Sequence, residues 1–421
     1  MNTTRHTTVR LYSTCYMLVQ AGENGGYVSE LYYDPWDVEI DLDPYPTFKR
    51  LRDESPVYYN QRHDFWGLSR YSDIDAALRE PNKLSSAKGD ILEVVKADPV
   101  MPPGVFINED PPLHTIHRAL VARAFTPKRI REIEDKVRTF CIACLDPIVG
   151  SDRFDFVQDL GAELPMRTIG MLVGIPDSDQ PSVRAHAHAV LRNEPGKPLP
   201  VKKDHYFDGN MFSDYLAWRT KNPSDDLITE LLNVEFEDET GAPRRLSTEE
   251  LLIFLAVVAG AAVETTGRLF GWMGKVLGEN PDQLADLAEN PSLVPNAIEE
   301  LLRYEPPGPH VARWVAEDVE FHGQTIPAGS ALLLMLASAN RDERHFDDPD
   351  RFDIHRRPGG LLTFGRGAHF CLGAPLARLE GRVALEEVLK RFPTWEVDID
   401  NARRSRTSTV RGWDSMPTII G

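Results

Sequence analysis

Cysteine is scarce in this sequence: Cys15, Cys141, Cys144 and Cys371 are the only four in 421 residues. Usage this sparse excludes a disulfide framework and fits a reducing compartment, so a cytoplasmic location is expected. Long apolar runs are missing as well. The longest, residues 251–263, falls short of the roughly 20 residues that a bilayer demands. Positive charge is outweighed, with 47 Lys and Arg against 65 Asp and Glu and a formal net charge of −18. That balance argues against nucleic acid and against an anionic membrane as partners. No Gly/Ser-rich linker, internal repeat or long charge run divides the chain, so one large compact unit is expected. In residues 1–30, Arg5 and Arg10 precede Leu11 and Tyr12, but Ser13, Thr14 and Gln20 interrupt any apolar stretch. The segment therefore reads as a disordered tail, not a secretory signal or membrane anchor, ahead of a domain covering 31–421.

What is present points to a mostly helical protein with small β regions. Residues 44–54 carry a helical pattern, and 56–60 with 65–69 read as a hairpin. A short helix follows over 72–79, with Ser72 as its N-cap. Residues 84–112, rich in Pro and Gly, read mainly as a long loop of the kind that carries function. Helical periodicity then dominates 113–302, with breaks at Pro176, 195–200 and 222–224. Residues 315–336 turn to strand around Pro327 and Gly329, and a last helix spans about 373–391. Cys141 and Cys144 lie within the helical pattern of 130–149, with no second ligand pair nearby. They read as buried structural thiols.

The most informative stretch is 364–373, Phe-Gly-Arg-Gly-Ala-His-Phe-Cys-Leu-Gly, followed by Ala-Pro-Leu-Ala-Arg378. Gly365 and Gly367 permit backbone conformations that side chains forbid. Cys371 sits at the start of the following helix, where free N–H groups and the dipole favour a thiolate. Pro375 falls in the first turn, where a missing N–H costs little. No other Cys or His cluster completes a tetrahedral metal site. A thiolate here therefore suits a soft or redox-active metal whose other ligands come from a cofactor; on haem iron a thiolate pushes electron density toward bound oxygen and favours O–O cleavage. A buried Cys beside a Gly-rich turn is the alternative these residues leave open.

This run resembles the haem-binding signature of the cytochrome P450 family, F-x-x-G-x-x-x-C-x-G, complete at Phe364, Gly367, Cys371 and Gly373. The fuller bacterial form, with Gly365 and His369, is matched too. The resemblance extends over roughly 34–421 and implies a single large P450-like domain, mostly α with small β-sheet regions. It implies haem b, iron protoporphyrin IX, with Cys371 as axial thiolate ligand. Phe364 would pack by the sulfur, and His369 would contact a haem propionate.

Other segments agree with it. Glu300 and Arg303 stand three apart on one helix face. Alone they would be an ordinary solvated pair, but Ile298, Leu301 and Leu302 surround them. By resemblance they are the E-x-x-R pair, with Arg351 as third charged partner in a structural triad. His114 and Arg118, four apart, invite an anion. By resemblance they and Arg313 join His369 in holding two propionates, with His117 a bystander. Glu264 and Thr265 place an acid and a hydroxyl in an apolar helix, and resemble the A/G-G-x-D/E-T motif. Glu264 would relay protons, and Thr265 would hydrogen-bond dioxygen or its water. Ala262 departs from the pattern, which usually has Gly there; the extra methyl would crowd the oxygen groove or alter the local helix.

The expected activity is that of a haem-thiolate monooxygenase, which activates O2 and inserts one oxygen atom into a mostly apolar small molecule. Residues 89–107, 176–218, 257–261, 308–311 and 410–413 are candidates to line its pocket. Their apolar character suits a lipid-like, terpenoid, steroid or aromatic substrate. His310 offers one polar contact, while His186 and His188 face different ways and make a poor metal site. No flavin or nicotinamide motif is present, so electrons would come from an external ferredoxin and its NAD(P)H-dependent reductase. Arg366 marks a locally basic docking face, and a monomer is expected. Two rivals are a peroxide-driven peroxygenase using the same Cys, and a haem-based binding or sensor protein, which would lack the Glu264–Thr265 pair.

Overall fold

The computed structural model describes residues 31–203, 209–405, 407 and 409–420. The expected tail, 1–30, with Cys15, lies outside the described residues. The organising element is the helix Thr248–Gly278. Its start is sharply specified: Ser247 Oγ accepts from the Glu250 amide at 3.1 Å, and Glu250 reaches back to the Ser247 amide at 2.7 Å. Apolar residues all around the helix require burial on every side. It is met by the π-helical turn Phe156–Gly161 and the helices Leu164–Val173, Gln180–Leu191, Val294–Tyr304 and Ala374–Arg391. By length and composition alone it would pass for a membrane span, but 72% of its apolar window is buried inside the protein. It outruns the apolar stretch 251–263 because Glu264 and Arg268 pair with each other at 2.9 Å, so the charges do not end the burial.

A second core forms on a five-stranded sheet. Its order is Val57–Asn60, Phe65–Leu68, Ala331–Leu334, Val311–Val315 and Leu84–Ser85. The first two strands make the expected hairpin. Ala331–Leu334 runs parallel to Phe65–Leu68 and antiparallel to Val311–Val315, with Leu332 opposite both Trp66 and Arg313. This register sets Arg313 within the sheet at the edge of the helical core.

One local expectation needs correction and two gain detail. The helix Tyr71–Ala77 begins after Arg70, not at Ser72; Asp342 Oδ2 accepts from the Tyr71 amide at 2.9 Å and replaces a local cap. Residues 84–112 are not all loop, because Leu92, Val94 and Val95 bury one face of a short helix, Leu92–Ala97. A small hairpin, Phe236–Glu237 with Pro243–Arg244, interrupts the helical half.

The charged triad is also redrawn. Glu300 and Arg303 are both fully buried and paired at 2.8 Å. The third cation is Arg356, whose Nε lies 3.1 Å from Glu300 Oε1, and not Arg351. Arg351 is exposed and contributes its backbone carbonyl, which accepts from Arg303 Nη2 at 3.3 Å. The turn at 348–351 points the Arg351 backbone inward, and the chain returns with Arg356. Cys141 is fully buried and Cys144 half-buried, and burial pushes both thiols up, Cys144 to about 11. Neither is a reactive thiolate.

Candidate active site

Cys371 is presented by a loop folded back on itself. Gly365 and Gly367 have φ of +67° and +66°, in the left-handed region. A Cβ on Gly367 would lie 2.7 Å from the Leu78 carbonyl oxygen, so only glycine fits. The Cys371 amide donates to Phe364 O at 2.8 Å and closes the loop. Gly373 is the N-cap residue of the helix Ala374–Arg391, with Pro375 in its first turn. The Phe364 ring is buried and packs beneath the Arg378 guanidinium, 4.5 Å from its centroid. Cys371 is solvent-accessible on one side, yet protein atoms crowd around it. Burial raises its thiol, while the amides of Gly373 and Ala374 and the charge of Arg118 pull the other way. The helix-start donors thus act in the expected direction, but they do not outweigh desolvation of the free thiol. A cationic metal partner would reverse that balance.

Two arginines and two histidines converge beside this loop. His114 and His369 stack with ring centroids 4.0 Å apart. Both ring nitrogens of His114, and Nε2 of His369, are buried without a hydrogen-bond partner. Burial lowers both imidazoles, His114 to about 4 and His369 to about 3; Arg118 and Arg313 add to the effect on both, and His114 adds to that on His369. Arg118 Nη2 donates to the Phe370 carbonyl, and Arg313 Nη1 to Ala312 O at 2.7 Å. Desolvation disfavours the charge on both arginines. Orphaned donors and poorly solvated cations gathered in one place are costly unless an anion satisfies them. The residues therefore fit the carboxylates of a haem. His117, by contrast, is occupied by Glu109 at 2.9 Å and has Glu250 at 3.7 Å, so it ties the helix Leu113–Ala122 to the core helix.

Above the core helix lies a cavity of about 200 Å³. Residues 89–107, the helix Gln180–Leu191, Met211, Phe212, the core helix around 256–265, Thr409 and Val410 line it. Residues 308–311, Trp218 and Trp413, expected there, do not: Trp218 is solvent-exposed, and Trp413 packs on Trp272. Thr265 faces the cavity, and its hydroxyl donates to Ala261 O at 2.8 Å, which leaves its lone pairs available. The helix runs unbroken past half-buried Ala262, so the extra methyl coincides with regular helix.

Glu264 is almost wholly buried. Arg268 Nη2 lies 2.9 Å from one carboxylate oxygen and His188 Nδ1 2.5 Å from the other. Desolvation raises its pKa, but His188 and Arg268 overcome this and hold it below the ordinary carboxylate value. Arg268 reaches on to Asp414 at 2.9 Å, and Asp414 to Arg192 at 2.7 Å. These partners border a separate outer cleft of about 310 Å³, and among the described residues Glu264 alone lines both spaces. His186 and His188 do diverge, the first to the inner cavity and the second to the outer cleft.

Sequence reasoning missed His188, Asp414, Arg356, Asp90 and Glu380. Arg268 was missed too, although its spacing of four residues after Glu264 is a helical-pair signal that could have found it. The others come from segments far away in the chain, and only the fold brings them together. Glu380 is a buried carboxyl on the last helix, facing Thr168 and Thr266 and pushed by burial up to about 8.

A mostly helical fold with a glycine-turned cysteine, orphaned histidine donors and two desolvated arginines beside it, and an apolar cavity above a Thr-bearing helix defines a haem-thiolate protein. Comparison with known sequences gives the same class. Residues 210–410 match the family model Cytochrome P450. Cytochrome P450 123 of Mycobacterium tuberculosis is 40% identical over 399 residues, 93% of this chain and 97% of the relative. Vitamin D(3) 25-hydroxylase of Pseudonocardia autotrophica is 36% identical over 386 residues, 90% of this chain and 94% of the relative. The structure of CYP109E1 from Bacillus megaterium in complex with testosterone superposes with a TM-score of 0.81 at 28% identity, covering 91% of this chain and 99% of that one. The chain belongs to the cytochrome P450 family. It is a P450 monooxygenase, an oxidoreductase of the class whose haem iron carries a cysteine thiolate.

Proposed function

We propose that Cys371 is the axial ligand of haem b and that this enzyme inserts one atom of O2 into a mostly apolar small molecule. The observation that carries the reading is the gathering of His114, His369, Arg118 and Arg313 beside the Cys371 loop, with His114 and His369 nitrogens lacking any other partner. His114, Arg118, Arg313 and His369 would bind the haem carboxylates, Phe364 would shield the sulfur, and Gly373 would let the helix begin close behind it. When bound, the haem supplies oxygen activation, with the thiolate as electron donor.

The remaining chemistry is that of the chain's own side chains. The apolar cavity excludes water and orients the substrate by shape. Thr265 offers hydroxyl lone pairs at the cavity wall. Glu264 moves protons: it is reached from the outer cleft through His188, and it borders the inner cavity. A positioned acid of this kind contributes on the order of 10²- to 10⁴-fold. The cavity lining suits a lipid-like, terpenoid, steroid or aromatic substrate. The relatives' names, a vitamin D(3) hydroxylase and a P450 holding testosterone, support the steroid-like end of that range.

Electrons would come from an acidic ferredoxin and its NAD(P)H-dependent reductase, docking on the Cys371 side. A groove there carries Arg131, Arg378 and Arg382 against Glu134 and Glu299, and exposed Arg131 makes no ion pair among the described residues. Arg366 contributes less charge than expected, because Asp75 lies 3.2 Å from it.

The test is Cys371→Ser, read by the reduced, carbon-monoxide-bound absorption spectrum and by turnover. Loss of the thiolate-type spectrum and of O2-driven turnover is expected. An unchanged spectrum refutes the assignment.

A further inference from the structure

Five polar side chains border the inner cavity: Asp90, His186, Glu264, Thr265 and Thr409. Glu264 is ion-paired with Arg268 and contacted by His188, and Thr265 is tied to Ala261. His186 is solvent-exposed. Asp90 is different. Its backbone carbonyl is used by the Ala312 amide at 2.7 Å, so its carboxylate is the polar group it has left to present. The amide of buried Asn108 lies 3.0 Å from Oδ1 and donates to it when its nitrogen is the atom turned toward Asp90. No cation lies within 4 Å of the carboxylate among the described residues. The nearest positive charge acting on it is Arg313, beyond ion-pair range. Asp110, the neighbouring carboxylate, is by contrast satisfied by Ser85 Oγ at 2.5 Å and the Ser86 amide at 2.9 Å.

Asp90 is half-buried at the wall of an apolar cavity, and an acid so placed without a counter-charge is costly unless something supplies one. If Arg313 serves a haem carboxylate, its charge is spent there. We infer that Asp90 is a specificity-determining residue, an anchor for a cationic group on an otherwise apolar substrate. The inference rests on the reading of this cavity as the substrate site and adds to it the chemistry of one end of the substrate. A cavity of about 200 Å³ with this acid at its wall selects an apolar body bearing an ammonium group. Burial already raises the carboxyl of Asp90, and an approaching cation would favour its ionised form.

Three eight-carbon probes on the haem-loaded enzyme test this by calorimetric titration: octyltrimethylammonium, 1-octanol and octanoate. The ammonium is expected to bind at least about tenfold more tightly than the alcohol, and octanoate more weakly than either. Asp90→Asn, an isosteric change, is expected to abolish the preference for the cation over the alcohol. The wild-type ranking of the three probes is informative without any variant. A cation that binds no better than the alcohol in the wild type overturns the inference, as does a preference that survives in Asp90→Asn. Failure of the alcohol itself to bind in either protein would instead count against the cavity as an apolar substrate site.

Discussion

Removing the carboxylate of Glu300 is the sharpest structural perturbation available. Glu300 and Arg303 have no exposed side-chain surface. The carboxylate accepts from Arg303 Nε and Nη2, both at 2.8 Å, from the Asp353 amide at 3.0 Å and from Arg356 Nε at 3.1 Å. Arg303 also donates to Asn340 O at 2.9 Å and Pro349 O at 2.8 Å, so it is pinned and cannot swing to solvent. Glu300→Gln keeps the shape but leaves two guanidinium groups facing an amide. Breaking a buried pair from one side costs about 3–5 kcal/mol, against a total stability of about 5–15 kcal/mol. Arg356 is 14% exposed in its side chain and also donates to the Asp348 carbonyl at 2.8 Å. Arg356→Ala should therefore cost about 1–3 kcal/mol. Arg351 uses its backbone alone, so Arg351→Ala should stay within about 0.5 kcal/mol of wild type. Urea denaturation gives the three differences, and the haem-to-protein absorbance ratio reports incorporation of the cofactor. The order Glu300→Gln, then Arg356→Ala, then Arg351→Ala is required. Equal losses for Arg351→Ala and Arg356→Ala, or a Glu300→Gln protein within about 1 kcal/mol of wild type, would refute the triad as drawn.

Glu380 gives a pH test. Its carboxyl is raised by burial from an unfolded value of 4.5 to about 8, so between these values the folded state holds a proton that the unfolded state has lost. Its contribution is fully present below about 4.5 and declines as pH rises toward about 8. Glu380→Gln should flatten the stability–pH curve in that window by up to about 1.4 kcal/mol per pH unit, and identical slopes in chemical denaturation would contradict this. For Glu264→Gln, O2-driven turnover should fall by about 10²-fold or more, while peroxide-driven turnover changes little. An equal loss in both assays would remove Glu264 from proton delivery.

The sequence alone was enough for the helical class, the hairpin 56–69, the strand region 315–336, and the Cys371 loop. Each of these is local. Glycines at positive φ, a Pro in a helix's first turn and apolar periodicity act over a few residues, so they are legible in a linear string. The Glu264–Arg268 pair belongs to the same kind, being set by helical repeat. The identity of the third cation at Glu300 was not legible, since Arg351 and Arg356 differ only in which way the turn at 348–351 faces. The capture of Glu264 by His188, the Arg268–Asp414–Arg192 chain and the isolation of Asp90 in the cavity were likewise beyond local pattern. They depend on where helices and strands distant in sequence are packed against one another, and on which buried charges then find a partner.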